Sequence, residues 1–377
     1  MKKVKVGIIG GGLMGKEAAS AFGRWFALND FPVQVELTAV CDLSDEVLDW
    51  YRRVPTVDLL TKNYKELLAI EDIEVVYVAL PHNLHKEYYI EVLESGKDLL
   101  AEKPFGMDLD AAIAIEAAAR RLGRFVRCSS EMPFLPGPQR VIKEFQSGRL
   151  GEVIEINAGF LHASDLDRKK AINWKRQNKF CGEVGVMGDL GMHVLHIPLR
   201  MGWKPSQVYA QLQKIITERP DGKGGLAICD TWNNAKLNTQ ISIDGLDVPM
   251  TLEMKRIAPG ETNTWYIEIL GTEGGVRYST KDTKVLWTFN IQHEDQFWQR
   301  TDLGSKGMVF PTITGGIFEA GFSDCFMQML AAYFSERSGI AVDFGCVTPL
   351  EAVQSHMIFD AALKSHAANG VESIHYN

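Results

Sequence analysis

The 377-residue chain is 46% hydrophobic and 23% charged, the composition of an ordinary soluble globular protein of one or two domains. Its net charge of −8 comes without any basic stripe, and no apolar run is long enough to cross a bilayer, so we expect neither a nucleic-acid nor a membrane partner. The six cysteines are scattered without CxxC spacing. This favours free thiols in a reducing compartment, so we expect a cytoplasmic protein without a metal framework.

A nucleotide-binding pattern opens the chain. A short apolar run, typical of a buried parallel strand, breaks into Gly10-x-Gly12-x-x-Gly15. Gly10 permits a tight turn, Gly12 leaves room for a pyrophosphate, and Gly15 allows close packing of helix on strand. The backbone at Leu13 and Met14 then lies at a helix N-terminus, where N–H groups and the helix dipole favour phosphate.

Asp42 indicates which dinucleotide binds. It follows a second apolar run, Val33–Val40, and a carboxylate at that strand end can hydrogen-bond the adenosine ribose. The next residues, Leu43 and Ser44, offer no cation for a 2′-phosphate. A carboxylate ~4 Å from a phosphate would cost up to about 4 kcal/mol at an effective dielectric of about 20. The sequence therefore predicts NAD as cofactor, with NADP disfavoured.

The first third of the chain alternates strand and helix patterns. Helices are predicted at Tyr64–Ala69, His85–Leu93 and Ala111–Leu122, and strands at Val75–Leu80, Asp98–Ala101 and Phe125–Cys128. Asp108 is a predicted N-cap, and Gly123 a predicted C-terminal stop, for the alanine-rich helix. The pattern predicts a doubly wound parallel sheet in an NAD-binding domain over residues 1–130.

Residues 131–377 read as a second α/β domain, for substrate binding and oligomerisation. Strands are predicted at Glu152–Phe160, at Trp265–Leu270, at Gly275–Tyr278 and on both sides of an Asp244-Gly245 hairpin turn, and helices at Val141–Phe145, Phe322–Ser335 and Pro349–Ala368. We expect an open, largely antiparallel or mixed sheet whose exposed face pairs with another subunit. The last helices are expected to return to the first domain.

Lys103 is the first candidate catalytic residue. It follows the strand Asp98–Ala101, and ligands of open α/β sheets bind beyond the carboxyl ends of strands. A desolvated lysine there can have its pKa lowered to about 7–8 and exchange a proton with a substrate hydroxyl. The alternative is a surface lysine without a catalytic role, which precedes a proline in a turn.

Asp189 and His193 are the second candidate pair. One helical turn apart, they share a helix face and can hold a substrate diol, and histidine titrates near neutral pH. His196 lies on the same helix face and is predicted to contact the substrate. The rival interpretation is a metal site formed by Asp189, His193 and His196. Because a fourth ligand is not evident, we predict no metal. Trp174 and Arg176, in the segment Trp174-Lys175-Arg176, are predicted to bind a sugar by stacking and by hydrogen bonds to hydroxyls. The alternative is ordinary loop packing.

Together these residues resemble the Gfo/Idh/MocA oxidoreductase family, over most of the chain. The resemblance rests on Gly10-x-Gly12-x-x-Gly15, Pro81-x-Asn83-x-His85, Gly96-Lys97, Glu102-Lys103-Pro104, Gly148-x-x-Gly151, Asp189-x-Gly191-x-His193 and Gly271-x-x-Gly274. It implies a Rossmann domain plus an open-sheet domain that forms homodimers or homotetramers. It also implies that Pro81, Asn83, His85 and Glu102 help bind the cofactor.

The resemblance further implies that Lys103 lies beside the nicotinamide before a cis Lys-Pro bond, with Asp189 and His193 completing the site. Two positions depart from the family pattern. His196 stands where many members carry aspartate, and Glu131-Met132-Pro133-Phe134 replaces an aromatic–Arg–Phe pattern. Both lie where substrate recognition would differ.

Three functions are consistent with these residues. The first is NAD-dependent oxidation or reduction of a secondary hydroxyl on a sugar, glycoside or cyclic polyol, with Lys103 and His193 handling the proton and Asp189 orienting the substrate. The second is a redox-neutral lyase or glycosidase that acts through a transient keto-sugar. The third is a nucleotide-binding sensor without turnover. The presence of Lys103, Asp189 and His193 together argues against this third function.

Overall fold

The computed structural model describes residues 2–291 and 295–376 and contains the predicted parallel sheet. Six parallel strands lie in the order β3-β2-β1-β4-β5-β6. They are β1 (Lys2–Ile9), β2 (Val33–Cys41), β3 (Leu59–Thr61), β4 (Ile73–Val78), β5 (Asp98–Ala101) and β6 (Val126–Cys128). This is the strand order of a Rossmann dinucleotide-binding fold.

Helices connect these strands. They are α1 (Leu13–Gly23), α2 (Asp45–Tyr51), α3 (Tyr64–Leu68), α4 (His85–Glu94) and α5 (Leu109–Leu122). The predicted caps of α5 are confirmed: the Asp108 side chain accepts a hydrogen bond from the Ala111 N–H, and Gly123 adopts a left-handed φ of 61°. Between β1 and α1, Gly10 has a φ of 93°, and a Cβ there would lie 2.2 Å from the Ala79 carbonyl oxygen. Only glycine fits this turn.

The second sheet is mixed and has nine strands in the order β16-β15-β14-β13-β7-β12-β11-β8-β17 within the described residues. Its strands are β7 (Val153–His162), β8 (Gln207–Gln213), β11 (Asn234–Ile243), β12 (Leu246–Lys255), β13 (Asn263–Gly271), β14 (Gly274–Ser279), β15 (Val285–Asn290), β16 (Gln299–Asp302) and β17 (Glu372–Ser373), while β9 (Glu218–Pro220) and β10 (Leu226–Ile228) form a separate pair. The β7–β12 pairing is parallel and its neighbours are antiparallel. The predicted hairpin turn is confirmed, with Asp244 and Gly245 both at positive φ.

Among the described residues, this half of the chain has five further α-helices: α6 (Pro136–Gln146), α7 (Asn178–Cys181), α8 (Val186–Arg200), α9 (Phe322–Arg337) and α10 (Pro349–Ala368). The helix α9 contacts elements of the first sheet's half of the chain. Phe334 of α9 packs edge-on against Phe22 of α1, and Arg337 forms an ion pair with Asp98 of β5. α9 thus packs on the first half of the chain, while α8 packs against β7 and β12 of the second sheet.

In the part of the chain that the structure describes, no helix is both long and apolar enough for a membrane span. All six cysteines are buried as free thiols.

Candidate active site

The glycine turn at the head of α1 is shaped to receive a phosphate. A Cβ on Gly12 would meet no atom within 4 Å, so the space beside this residue is open. The Gly12 N-cap contributes no side-chain hydrogen bond to the first turn, and helical N–H groups in a first turn have no partner within their own helix. Leu13 is exposed and Met14 is partly exposed at the same edge. This cradle fits the pyrophosphate of a dinucleotide.

Asp42 lies at the end of β2, next to this turn. One carboxylate oxygen accepts the Gly11 N–H at 2.8 Å and the other accepts the Ser44 N–H at 2.9 Å. Each oxygen retains a lone pair, so the carboxylate is both fixed by backbone and able to accept a ribose hydroxyl. The neighbouring Leu43 is exposed and provides an apolar surface beside it.

The predicted cofactor residues after β4 and β5 separate into surface and interior groups. Pro81 is partly exposed and Asn83 is exposed, while the His85 and Glu102 side chains are buried. His85 Nδ1 lies 2.7 Å from the Pro104 oxygen and Nε2 lies 2.9 Å from the Leu80 oxygen. The His85 ring therefore holds the backbone at Leu80 and Pro104, and its part in cofactor binding stays a prediction.

The Glu102 side chain is also buried inside the domain. Its carboxylate accepts hydrogen bonds from the Tyr77 hydroxyl and from the Lys103 N–H. The Lys103–Pro104 bond is cis, as the family resemblance implies. The hydrogen bonds of Glu102 fix the backbone that presents Lys103, and the part of Glu102 in cofactor binding stays a prediction.

Lys103 and Asp189 are in direct contact. The Lys103 Nζ donates to the Asp189 carbonyl oxygen at 2.7 Å and lies 3.2 Å from its Oδ1. Asp189 lies in the first turn of α8, which begins at Val186. The carboxyl edge of the first sheet and the N-terminal end of α8 thus meet at this pair.

Two further cations bind the same carboxylate. Lys175 Nζ lies 2.8 Å from Asp189 Oδ1, and the almost fully buried Arg256 places Nε 3.1 Å from Oδ2. Burial alone would raise the pKa of Asp189, but Lys175, Lys103 and Arg256 outweigh it and hold the pKa well below its usual range. Asp189 is therefore ionised and does not serve as a proton donor near neutral pH.

The same charges correct the expected protonation state of Lys103. Burial would lower the pKa of Lys103, but the carboxylates of Asp189, Glu102 and Glu131 together raise it above its ordinary value. The prediction of a pKa near 7–8 is wrong, because desolvation was considered without these three partners. Lys103 is a permanent cation at neutral pH.

His193 lies one turn further along α8 and is almost fully buried. Its carbonyl oxygen accepts the Trp265 Nε1–H at 2.8 Å, and the Phe160 ring packs edge-on against its imidazole. Burial, with the Lys103 cation beside it, holds the pKa of His193 well below its ordinary value. The ring is therefore neutral and able to accept a proton, in contrast to the charged Lys103.

The side chains of the segment Trp174-Lys175-Arg176, which is predicted to bind a sugar, point in different directions. Trp174 is partly exposed and packs edge-on against the buried His82, and Lys175 reaches Asp189. Arg176 points the other way: it is buried, and its Nη2 donates to Asp165 at 2.6 Å. The prediction that Arg176 binds substrate is therefore wrong, because a buried ion pair consumes its guanidinium.

His196 is not at the site either. Its ring is fully buried between Phe134 and Phe344, and its Nε2 lies 3.2 Å from the Gly345 oxygen. Burial lowers the pKa of His196 to about 3. The rival metal site fails for the same reason, and the described ranges contain no group of three or more His, Cys, Asp or Glu arranged to hold an ion.

Three residues around the site were not predicted to act there. Arg256 directly follows β12 with no local signal beyond its charge, and His82 is hidden within the Pro81–Asn83 motif. Glu131 was noted only as a departure from the family pattern, yet its carboxylate lies 3.7 Å from His193 Nδ1. The departure of the segment Glu131-Met132-Pro133-Phe134 from the family pattern was the available signal.

A Rossmann sheet joined to a mixed-sheet domain, with a Lys–Asp–His cluster between them, defines a nicotinamide-dependent oxidoreductase. Residues 4–129 match the family model described as "Oxidoreductase family, NAD-binding Rossmann fold", and residues 139–277 match the Gfo/Idh/MocA C-terminal domain. The chain belongs to the Gfo/Idh/MocA oxidoreductase family.

Individual relatives include sugar dehydrogenases. A levoglucosan dehydrogenase from Pseudarthrobacter phenanthrenivorans is 25% identical over 294 residues, covering 74% of each chain. A glucose-6-phosphate 3-dehydrogenase from Bacillus subtilis is 28% identical over 192 residues, 51% of each. A solved structure of levoglucosan dehydrogenase in complex with NADH and L-sorbose superposes with a TM-score of 0.89 over 100% of both chains at 22% identity, which shows a shared fold.

Proposed function

We propose that the protein is an NAD-dependent dehydrogenase that oxidises a secondary hydroxyl of a sugar, glycoside or cyclic polyol, or reduces the corresponding ketone. The observation that carries this is the Lys103–Asp189 contact beside a neutral His193 at the carboxyl edge of the Rossmann sheet. When bound, the nicotinamide would supply the hydride acceptor or donor. The sugar dehydrogenases among the relatives support the substrate class.

The two basic residues have different roles in this proposal. His193 is neutral and takes the proton of the substrate hydroxyl as a general base. Lys103 is charged, so it donates a hydrogen bond to the same oxygen and stabilises the negative charge that develops there. Asp189 fixes the Lys103 ammonium and is itself fixed by Lys175 and Arg256.

Substrate binding is assigned to the partly exposed rim of this cluster. Trp174 offers an aromatic face, and Lys175, whose side chain is 36% exposed, offers a donor for sugar hydroxyls. Preference for NAD over NADP follows from Asp42, whose backbone-fixed carboxylate would repel a 2′-phosphate. A second subunit is assigned to the outer face of the nine-stranded sheet, where Glu268, Arg277 and Trp287 form a partly exposed cross-strand row.

The test is incubation of the purified protein with NAD⁺ and a panel of polyols, free sugars and glycosides, followed by nicotinamide absorbance and product masses together. A product two hydrogens lighter than its substrate with matching NADH supports the proposal. Cleaved or dehydrated product without NADH accumulation would instead support the redox-neutral lyase or glycosidase. No turnover with any substrate class contradicts both.

Lys103→Met tests the assigned chemistry. We expect unchanged NAD⁺ affinity with turnover lowered by roughly 10²-fold or more, because a positioned charged donor is lost. Lys97→Met is the matched control: Lys97 is also buried, with its Nζ bonded to the Ile70 and Ile73 carbonyls, away from the site. It should lower the melting temperature while leaving turnover per folded molecule intact. Near wild-type turnover in Lys103→Met would contradict the assignment.

A further inference from the structure

Glu131 and His193 form a buried pair that the chemistry described above leaves unused. Both side chains are more than nine-tenths buried, and Glu131 Oε2 lies 3.7 Å from His193 Nδ1. Within the described part of the chain, this Nδ1 has no hydrogen-bond partner. A buried, unbonded ring nitrogen is costly, and a carboxylate is the acceptor that would satisfy it.

The separation is about 0.8 Å longer than the ~2.9 Å of an ordinary N–H···O hydrogen bond. Hydrogen bonds of catalytic groups are often long before substrate binds and shorten in the loaded site. The two residues come from different elements, since Glu131 follows β6 and His193 lies on α8. A shift of about 0.8 Å by either side chain would bring the two atoms to hydrogen-bond distance.

We propose that Glu131 is the positioning residue of His193: its ionised carboxylate accepts the Nδ1–H and so leaves Nε2 unprotonated to take the substrate's hydroxyl proton. This inference rests on the proposed dehydrogenase function. As the hydroxyl O–H bond breaks, the proton forms a bond to Nε2, and the resulting imidazolium is held by the Glu131 carboxylate. When Glu131 is itself protonated, it donates to Nδ1 instead, Nε2 carries the ring proton, and the base is lost.

The surroundings of Glu131 decide the pH at which this change occurs. The titratable and charged groups that face it from the packed elements are Tyr77 on β4, Glu102 and Lys103 after β5, Cys128 on β6, His193 on α8 and Cys325 on α9. Burial, with help from Glu102 and against Lys103, raises the pKa of Glu131 to about 7. The ring tautomer of His193 therefore changes near neutral pH.

The first experiment reads the tautomer without turnover. Nitrogen-15 NMR of histidine-labelled protein, with and without NAD⁺, would follow His193, assigned by its loss in His193→Gln. We expect wild type to move from the Nε2–H to the Nδ1–H tautomer as pH rises through about 7. In Glu131→Gln this pH-dependent change should vanish. A tautomer that changes identically in both proteins overturns the proposal.

The second experiment is the pH profile of kcat and KM with the substrate found in the panel. Wild-type kcat for oxidation should rise with pH through about 7, and Glu131→Gln should lose that step and roughly 10²-fold in kcat with little change in KM. Glu131→Asp should recover part of the activity and the step. Glu144→Gln, which neutralises a buried glutamate paired with Arg140 and Arg149, should keep the wild-type profile.

These outcomes separate the two proposals. Absence of turnover in wild type contradicts the proposed function and leaves the NMR result to decide on the pair. Normal wild-type turnover with an unchanged pH step and kcat in Glu131→Gln contradicts the role of Glu131 alone.

Discussion

Glu131→Gln should stabilise the protein at alkaline pH. Burial raises the pKa of Glu131 from 4.5 to about 7, so the folded chain binds this proton more tightly than the unfolded chain does. Folding stability therefore falls as pH rises from about 4.5 to about 7, and stays reduced above that. At about 1.4 kcal/mol for each factor of ten in the ionisation constant, the loss approaches about 3 kcal/mol.

Glutamine has the same shape without the ionisation, so the variant escapes this loss. An unfolding entropy of about 2.1 cal/mol/K per residue gives roughly 0.8 kcal/mol/K for this chain, so about 3 kcal/mol corresponds to roughly 4 °C in melting temperature. We expect Glu131→Gln to match or fall below wild type at pH 5 and to exceed it by roughly 4 °C at pH 8.

The assay is thermal unfolding by circular dichroism at half-unit steps from pH 5 to pH 8, on wild type and variant without added cofactor. Glu144→Gln is the control, because its carboxylate pairs with two arginines and its neutralisation should bring no gain at alkaline pH. A melting-temperature difference between Glu131→Gln and wild type that stays constant across this range would refute the reasoning. A gain at pH 8 together with lost turnover would identify Glu131 as a residue kept for function at the expense of stability.

Three further outcomes follow from the structure. Asp42→Asn keeps an acceptor for the Gly11 N–H but removes the charge that would repel a 2′-phosphate. The ratio of NAD⁺ to NADP⁺ affinities, measured by titration calorimetry, should therefore fall at least tenfold. The control Asp45→Asn, which changes an exposed carboxylate, should leave this ratio unchanged. Arg176→Met should lower the free energy of unfolding, measured with denaturant, by about 3 kcal/mol, because among the described residues it leaves the buried Asp165 carboxylate with only the more distant Arg219 as a charged partner. A loss below about 1 kcal/mol would contradict a buried ion pair. Trp287→Glu should reduce the oligomer mass measured by light scattering, and an unchanged mass would remove the outer sheet face from the interface.

Local patterns were sufficient for most of the first domain. Gly15 is required by a contact within one strand–turn–helix unit, because a Cβ there would lie 2.5 Å from the Gly10 carbonyl oxygen. Gly10 is required by its positive φ, which the local turn sets, and also by the Ala79 carbonyl, which comes from the end of β4. The caps of α5 and the Asp244-Gly245 turn depend on neighbours close in sequence, and each is found where it was predicted. Lys103, Asp189 and His193 were also identified from the sequence, because strand ends and one helix face bring them together.

The charge states and the division of roles were decided by tertiary structure. The lowered pKa expected for Lys103 was wrong because carboxylates from other elements surround it. Arg176 and Lys175 are adjacent in sequence, yet one pairs with Asp165 in the interior and the other with Asp189 at the site. His196 shares a helix with His193 but packs against Gly345, and no local pattern encodes that contact.

The sequence by itself determined the nucleotide-binding fold and three polar residues of the site, because periodicity, glycine geometry and helix spacing act over short distances. Only the tertiary structure brought Arg256 and Glu131 to that site, from positions 67 residues after Asp189 and 62 residues before His193. Protonation depends on burial and on every charge within a few ångströms. Those charges come from strands and helices distant in the chain. The packing of the two domains therefore decides that His193 is neutral and that Lys103 is charged.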